Sequence, residues 1–194
     1  MKKTILGIFT ALMAVMVLTG CGLFAKANGV ILYGEEEEVV KAVEKEKEKD
    51  DFIEEEQHKF KMLIKDDREI MILAEKTAQS LVKKKLISEI TNQAKAKTEV
   101  ISSLSKVAKG EGLLFTKDKA YELEIENITI KDEGNLVIGE GRVFTDLFLI
   151  VNDEDWASLA GTEKTMAILK YDTDPSAEGL RYEVEKTQLV RIQD

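Results

Sequence analysis

The sequence of 194 residues contains only one cysteine, one proline, one histidine and one tryptophan. A single cysteine cannot form an internal disulfide, and together with a single histidine it is too little for an ordinary structural zinc site. The net charge of −9 argues against nucleic acid as the main partner, because that binding depends on neutralising phosphates. The sequence therefore predicts no metal, no cofactor and no nucleic-acid partner.

The first 20 residues have the pattern of an export signal. Lys2 and Lys3 precede an apolar run over residues 5–18, which ends in small residues. The run is shorter than the roughly 20 apolar residues of a membrane-spanning helix, so a secretory signal peptide over residues 1–20 is the prediction. An uncleaved N-terminal anchor, or a signal cut at a conventional small-x-small site, is the alternative.

The end of this segment, Leu18-Thr19-Gly20-Cys21, resembles the lipobox of bacterial lipoproteins. The resemblance implies that Cys21 receives a diacylglyceryl group, that the signal is cut before Cys21, and that the new amino terminus is also acylated. Two or three acyl chains, at about 0.8 kcal/mol per buried CH₂, make a stable anchor. The expected location is the cell membrane or the outer membrane, with the chain facing outside the cytoplasm. The cell type, and hence which membrane, stays open.

The mature chain divides into blocks of different charge and pattern. Residues 21–34 are predicted to be the lipidated N-terminus and a tether, although the apolar cluster from Val30 to Tyr33 favours docking on the folded part. Residues 35–110 contain no glycine or proline before Gly110, and their apolar residues recur over parts of the block at steps of three and four. This block is therefore predicted to be a long charged α-helical region, broken near residues 49–51 or near residues 83–85.

Residues 111–194 change to the pattern of β-strands. Apolar and charged residues alternate after Tyr121, and about six strand candidates follow, with a short helix over residues 153–160 between two of them. This order of elements weakly resembles an oligonucleotide/oligosaccharide-binding (OB) barrel, and an open sheet is the alternative. The predicted fold class is α+β: a lipoprotein signal, a long charged helical region, and a C-terminal antiparallel β-rich domain. The strands of that domain are expected to form either a small barrel or an open sheet.

Candidate chemical groups are few. His58 lies among charged residues and is predicted to be a solvated helix residue rather than a catalytic base. The acidic clusters at residues 152–155 and 172–174 are interpreted as a helix cap and loop acids, with bound calcium as the alternative. Residues 83–85 are three lysines, interpreted as a solvated face, with contact to anionic lipid headgroups as the alternative. No catalytic residue is predicted.

The predicted function is that of a membrane-anchored envelope lipoprotein, a non-enzymatic binding or scaffolding protein for an envelope protein or polymer. The first alternative is capture of a small ligand or glycan in a β-barrel pocket, and the second is a hydrolase that uses carboxylates. The aromatic residues available for a ligand platform in the β-rich part are Tyr121, Phe144, Phe148, Trp156, Tyr171 and Tyr182. The only predicted site residue is Cys21, for lipidation.

Overall fold

The computed structural model describes residues 27–92, 97–139, 141–145, 147–175 and 182–193, which form mostly β-strands. Cys21, the predicted lipidation site, and the predicted signal segment over residues 1–20 lie outside these described residues. In chain order the elements are β1 (Gly29–Gly34), α1 (Glu36–Glu46), β2 (Phe52–Lys65), β3 (Arg68–Ala74), α2 (Glu75–Lys83), β4 (Ile87–Asn92), β5 (Lys97–Val100), β6 (Glu111–Thr116), β7 (Thr129–Asp132), β8 (Leu136–Ile138), β9 (Leu147–Val151), α3 (Asp153–Ser158), β10 (Thr162–Tyr171) and β11 (Lys186–Val190).

Most strands join one eight-stranded sheet with the order β11-β1-β10-β2-β3-β9-β6-β7, and β5-β4-β8 form a smaller sheet. The pairing is antiparallel except between β3 and β9 and between β6 and β7. The N-terminal strand β1 therefore lies between the two last strands of the chain. The complete sheet therefore combines strands from both ends of the described chain.

Each face of the large sheet is covered by apolar side chains of other elements. One face packs on α2 and the small sheet, with Phe60, Leu81 and Ile138 in the same cluster. The opposite face is covered at one end by α1, where Val39 and Val43 pack on β1 and β10, and farther along by a cluster that includes Trp156 of α3. Residues 70–74 of β3 and all of β9 are buried on both faces, as their continuous apolar sequences require.

The predicted helical region over residues 35–110 is wrong. The block holds two short helices, α1 and α2, and the strands β2 to β5. The reason is a turn without glycine: Asp66 and Asp67 both take positive φ angles, 50° and 57°, and join β2 to β3 as a hairpin. Aspartate tolerates this conformation better than most residues, so the missing glycine did not exclude strands. The predicted break at residues 83–85 lies at the end of α2, and the one at residues 49–51 lies in the turn after α1, but each leads into a strand and not into another helix.

The apolar cluster from Val30 to Tyr33 is buried in the sheet as part of β1. Its docking on the folded part is therefore confirmed, and the segment ahead of the sheet ends at Asn28. The C-terminal part is β-rich as predicted, but the OB-like barrel is not confirmed. Among the described residues the large sheet has two edges, β11 and β7, and no pairing closes it.

Candidate functional site

A cavity of about 570 Å³ lies at the end of the large sheet where β3 and β9 begin and β6 ends. This volume is within the range of small-molecule sites, about 300–1,000 Å³. The lining carries basic and acidic side chains in equal number: Arg68, Lys117, Arg142, Asp67, Glu69 and Asp118. A cavity with both signs of charge suits a polar ligand that carries its own charged and hydrogen-bonding groups.

Two turns shape the mouth of this cavity. The Asp66–Asp67 turn places Asp67 and Arg68 on one side. On the other side, the loop over residues 141–145 is held by Thr145, whose hydroxyl donates to the carbonyl of Glu69 at 2.8 Å. Arg142 supports the same loop, because its guanidinium donates to the carbonyl of Leu136 at 3.1 Å. The mouth is therefore built from segments fixed to the sheet.

An ion pair forms one wall of the cavity. Nη2 of Arg68 lies 2.7 Å from Oδ2 of Asp118, and the Arg68 guanidinium stacks 4.3 Å above the centre of the Tyr121 ring. The hydrogen bond from Arg68, with a further one from the backbone N–H of Ala120, lowers the pKa of the Asp118 carboxyl. Asp118 is therefore held as the charged carboxylate.

The floor of the cavity is aromatic. The ring of Phe144 stacks on Tyr33 with centroids 4.8 Å apart and meets Phe60 edge-on at 5.4 Å. Below it, the Tyr33 hydroxyl donates to Oε1 of Gln188 at 3.0 Å, and the Gln188 amide donates to the carbonyl of Ile138 at 2.8 Å. Burial raises the pKa of Tyr33. This bonded floor gives Phe144 a firm support on the side facing the core.

The cavity lies at the far end of the sheet from the N-terminus of the described chain. The first residue of β2, Phe52, pairs with Tyr171, whose backbone N–H donates to the carbonyl of Asn28 at 2.8 Å. The other end of β2 leads into the turn that lines the cavity. The 14 residues of β2, at about 3.3 Å each, put these two ends about 40 Å apart.

A second cavity, of about 520 Å³, lies beside α3 and is more apolar. Leu63, Ile72, Ile128 and Leu159 are among its lining residues. Its wall depends on Lys61, whose buried ammonium donates to the carbonyl of Leu159 at 2.7 Å. Here the lysine acts as a cap for the last turn of the helix, which is a structural role.

His58 lies on β2 and not on a helix, so the predicted setting of this residue is wrong. It is half-buried, with its Nε2 2.9 Å from Oε1 of Glu56, and the hydroxyl of Ser80 donates to the same carboxylate oxygen. Burial lowers the pKa of His58, although Glu56 opposes the shift. The Glu56 carboxylate therefore lies between the Ser80 hydroxyl and the His58 imidazole. In a catalytic triad the histidine lies between the serine and the carboxylate, so this arrangement is not one in which a histidine activates a serine.

The acidic cluster at residues 152–155 caps α3, as predicted. The side chain of Asn152 accepts from the N–H of Glu154 at 3.0 Å, and Asp155 accepts from the N–H of Gly110 at 2.7 Å. Glu154 pairs with Lys109 at 2.8 Å. Over the ranges that the structure covers, no three histidine, cysteine or acidic side chains are grouped so that they could hold a metal ion.

The six aromatic candidates are dispersed. Phe144 lies at the first cavity, Phe148 lies below it, and Tyr121 lies behind Arg68. Arg68, Lys117 and Arg142 are not among the residues predicted from the sequence, since they come from separate segments. The sequence Asp66-Asp67-Arg68 between two apolar runs was the available signal, because it is typical of a hairpin turn.

Comparisons with known proteins identify a family and a related fold. The model of a family described as an uncharacterised lipoprotein family matches residues 27–193. Among solved structures, a 1.5 Å crystal structure of a candidate lipoprotein from Bacillus anthracis has a TM-score of 0.76 and 24% identity, covering 86% of this chain and 100% of that chain. At this identity the likeness shows the fold alone.

No curated protein matches the chain. Within the part of the chain that the structure describes, none of the helices has the length and apolar character needed to cross a membrane. The family match covers most of the sequence, including every strand and helix of the fold. The chain therefore belongs to the uncharacterised lipoprotein family.

Proposed function

We propose that this lipoprotein is a non-enzymatic binding protein of the bacterial envelope. In this proposal lipid on Cys21 holds it at a membrane, and the cavity between the Asp66–Asp67 turn and the loop over residues 141–145 holds a small polar ligand or one unit of an envelope polymer. Membership in a lipoprotein family supports the membrane location. The observation that carries the binding role is the cavity itself, about 570 Å³ and lined by charges of both signs.

The position of the cavity supports this role. It opens at the end of β2 that lies about 40 Å from Asn28, the residue nearest to the lipid anchor among those that bond to the sheet. A ligand in the aqueous envelope can reach that end while the opposite end stays near the membrane. Lys117 and Val143 present a charge and an apolar surface at the mouth, and the two together suit a glycan or peptide unit with an acidic group.

The charge state of Asp118 suits a binding group and argues against its use as the general acid of a hydrolase. A general acid for glycoside cleavage needs a carboxyl whose pKa is raised, so that it keeps its proton. Arg68 has the opposite effect, because it lowers the pKa of Asp118. The ion pair instead offers fixed hydrogen-bonding groups, which a binding site uses to select its ligand.

The test uses two pairs of matched variants of the full lipidated chain in detergent. The probes are soluble peptidoglycan fragments and teichoic-acid fragments, with binding measured by calorimetry. Val143→Asp and Lys117→Gln change the lining, while Val100→Asp and Lys106→Gln change exposed residues outside it. We expect the lining variants to weaken binding at least about tenfold, equivalent to about 1.4 kcal/mol, and the control variants to bind normally. Binding that survives both lining changes would contradict this use of the cavity.

A scaffolding role is the second candidate, favoured by exposed apolar side chains at the same end of the molecule. Ile64 is 73% exposed just before the Asp66–Asp67 turn, and Val143 is 40% exposed at the cavity mouth. A partner protein could cover both. A photo-crosslinker at Ile64 in intact cells should then capture one defined envelope protein, whereas the same group at Val40 on α1 should not. Equal capture from both positions would count against scaffolding.

A further inference from the structure

The distance between the lipid anchor and the sheet is limited by covalent geometry. Seven residue steps separate Cys21 from Asn28, and a chain spans at most about 3.6 Å per residue, so the two lie within about 25 Å of each other. Asn28 is fixed in the fold, because its side chain donates to the carbonyl of Ile192 at 3.1 Å and accepts from the N–H of Ile192 at 2.8 Å. The end of the sheet around Asn28 is therefore held close to the bilayer by the proposed lipid on Cys21.

Hydrogen bonds connect this point to basic residues. Arg191 lies between Val190 and Ile192, and both of these bond to Asn28. The next residue, Gln193, donates from its N–H to the carbonyl of Lys84 at 3.4 Å. We call Lys83, Lys84, Lys85 and Arg191 the basic side of this end. Its four cations come from the end of α2 and the segment after β11.

Within the basic side, Lys84 is held by Glu54 at 2.9 Å and by Glu56 at 3.3 Å, so it fixes the segment in place. Lys83, Lys85 and Arg191 are exposed. Lys85 takes a positive φ of 56°, which ends α2 and turns the chain into β4. These three exposed residues thus place cationic groups beside the point where the chain leaves for the lipid.

Acidic residues gather on the other side of the same exit point. The N–H of Tyr171 bonds to Asn28, and the N–H of the following residue, Asp172, bonds to the carbonyl of Asp51. We call Glu48, Asp50, Asp51 and Asp172 the acidic side. The two lysines interspersed with it, Lys47 and Lys49, are engaged by glutamates at 2.7 Å and 3.1 Å. The end near the membrane is therefore divided: exposed cations predominate on one side of Asn28, where the carboxylates of Glu54 and Glu56 are paired with Lys84, and acids predominate on the other.

We propose that the basic side rests on anionic phospholipid headgroups and that the domain leans toward it, with the acidic side turned away from the bilayer. This inference rests on the lipid anchor of the proposed function. An anionic surface attracts each nearby lysine or arginine and acts over about one Debye length, about 10 Å at ordinary salt. The short connection from Cys21 allows the exposed cations to approach the surface within that distance, and the opposite charge of the other side sets the direction of the lean.

The test measures how fast lysine amines react on the full lipidated chain reconstituted in vesicles. One set of vesicles is pure phosphatidylcholine, and the other contains about one third phosphatidylglycerol. A membrane-impermeant acylating reagent is followed site by site with mass spectrometry. We expect Lys83 and Lys85 to react about fivefold more slowly on the anionic vesicles, the factor expected for one basic side chain at such a surface, and the difference to vanish at high salt.

Variants and internal controls make the result specific. Lys119 near the cavity and Lys45 on α1 should react equally on both kinds of vesicle. The double change Lys83→Gln and Arg191→Gln should abolish the slower reaction of Lys85, whereas Lys106→Gln and Lys119→Gln together should leave it. Unfolding by urea checks that both double variants keep the stability of the parent.

The outcomes separate the two proposals. If the chain does not float with vesicles at all, the lipid anchor is refuted. If it floats but Lys83 and Lys85 react at the same rate on both kinds of vesicle, the anchor stands and the basic side is refuted as a membrane contact. Slowing of Lys119 to the same degree would also refute it, because the domain would then have no preferred side.

Discussion

The buried ammonium of Lys61 is expected to be a main support of α3. Its Nζ donates to the carbonyl of Trp156 at 2.9 Å and to that of Leu159 at 2.7 Å, and it lies 4.7 Å from the centre of the Trp156 ring. Lys61 is only 8% exposed. A six-residue helix has few internal bonds, so the carbonyls of its last turn depend on this external donor.

The loss on removing the ammonium follows from these contacts. A hydrogen bond to a charged group contributes about 1.5–3 kcal/mol, and a lysine above an aromatic ring adds about 0.5–2 kcal/mol. The sum is reduced because the variant no longer has to desolvate a charge. We therefore expect Lys61→Met, which keeps the length of the side chain, to lower the free energy of unfolding by about 2–4 kcal/mol.

Lys59→Met is the matched control, two residues earlier on the same strand. The ammonium of Lys59 lies 2.5 Å from Glu36 and 3.7 Å from Glu163, in a side chain that is 34% exposed. Such a surface pair contributes less than about 1 kcal/mol. Urea unfolding followed by far-UV circular dichroism and by the fluorescence of Trp156 should show a midpoint about 1–2 M lower for Lys61→Met, at about 2 kcal/mol per molar urea. Equal midpoints for the two variants would refute the capping role.

Three further changes test other parts of the fold. Tyr33→Phe should lower the free energy of unfolding by about 1–2 kcal/mol in urea, because it leaves the buried Gln188 acceptor without its donor; an unchanged midpoint would contradict this. His58→Gln should reduce the loss of stability between pH 7 and pH 5. Since the folded pKa of His58 is lowered, the unfolded chain takes up the proton first as the pH falls below about 6.5, and this part of the loss occurs only in the parent. Parallel pH profiles would exclude this. Asp67→Gly should raise the urea midpoint, equivalent to up to about 1 kcal/mol, because glycine adopts the positive φ without strain, whereas Asp67→Val should lower it.

Several elements could be predicted from the sequence because their signals are local. The strand over residues 148–151 and the helix capped by Asn152 follow from apolar runs and capping residues within a few positions. The apolar cluster of β1 was recognised as too hydrophobic for a tether, although its partners β10 and β11 could not be named. Those partners lie more than 130 residues away in sequence.

The error over residues 35–110 has a physical origin. Without glycine or proline, good helix formers such as Glu and Lys suggest helices, yet β2 carries them on a long strand. There, Lys59 forms an ion pair with Glu36 of α1, and Lys61 donates to a carbonyl at the end of α3. The residue between them, Phe60, is buried in the core. Tertiary contacts of this kind outweigh helix propensity, which differs by only tenths of a kcal/mol among these residues. The cavity was missed for the same reason, because Arg68, Lys117 and Arg142 meet only through the sheet.

The place of β1 between β10 and β11 also has a mechanical consequence. A pull on the N-terminus acts along β1, whose interstrand hydrogen bonds on both sides run across the direction of the force. These bonds are loaded together in shear instead of opening one at a time as in a peeled edge strand. The segment nearest to Cys21 is thus the part of the sheet best arranged to withstand tension between the domain and a membrane.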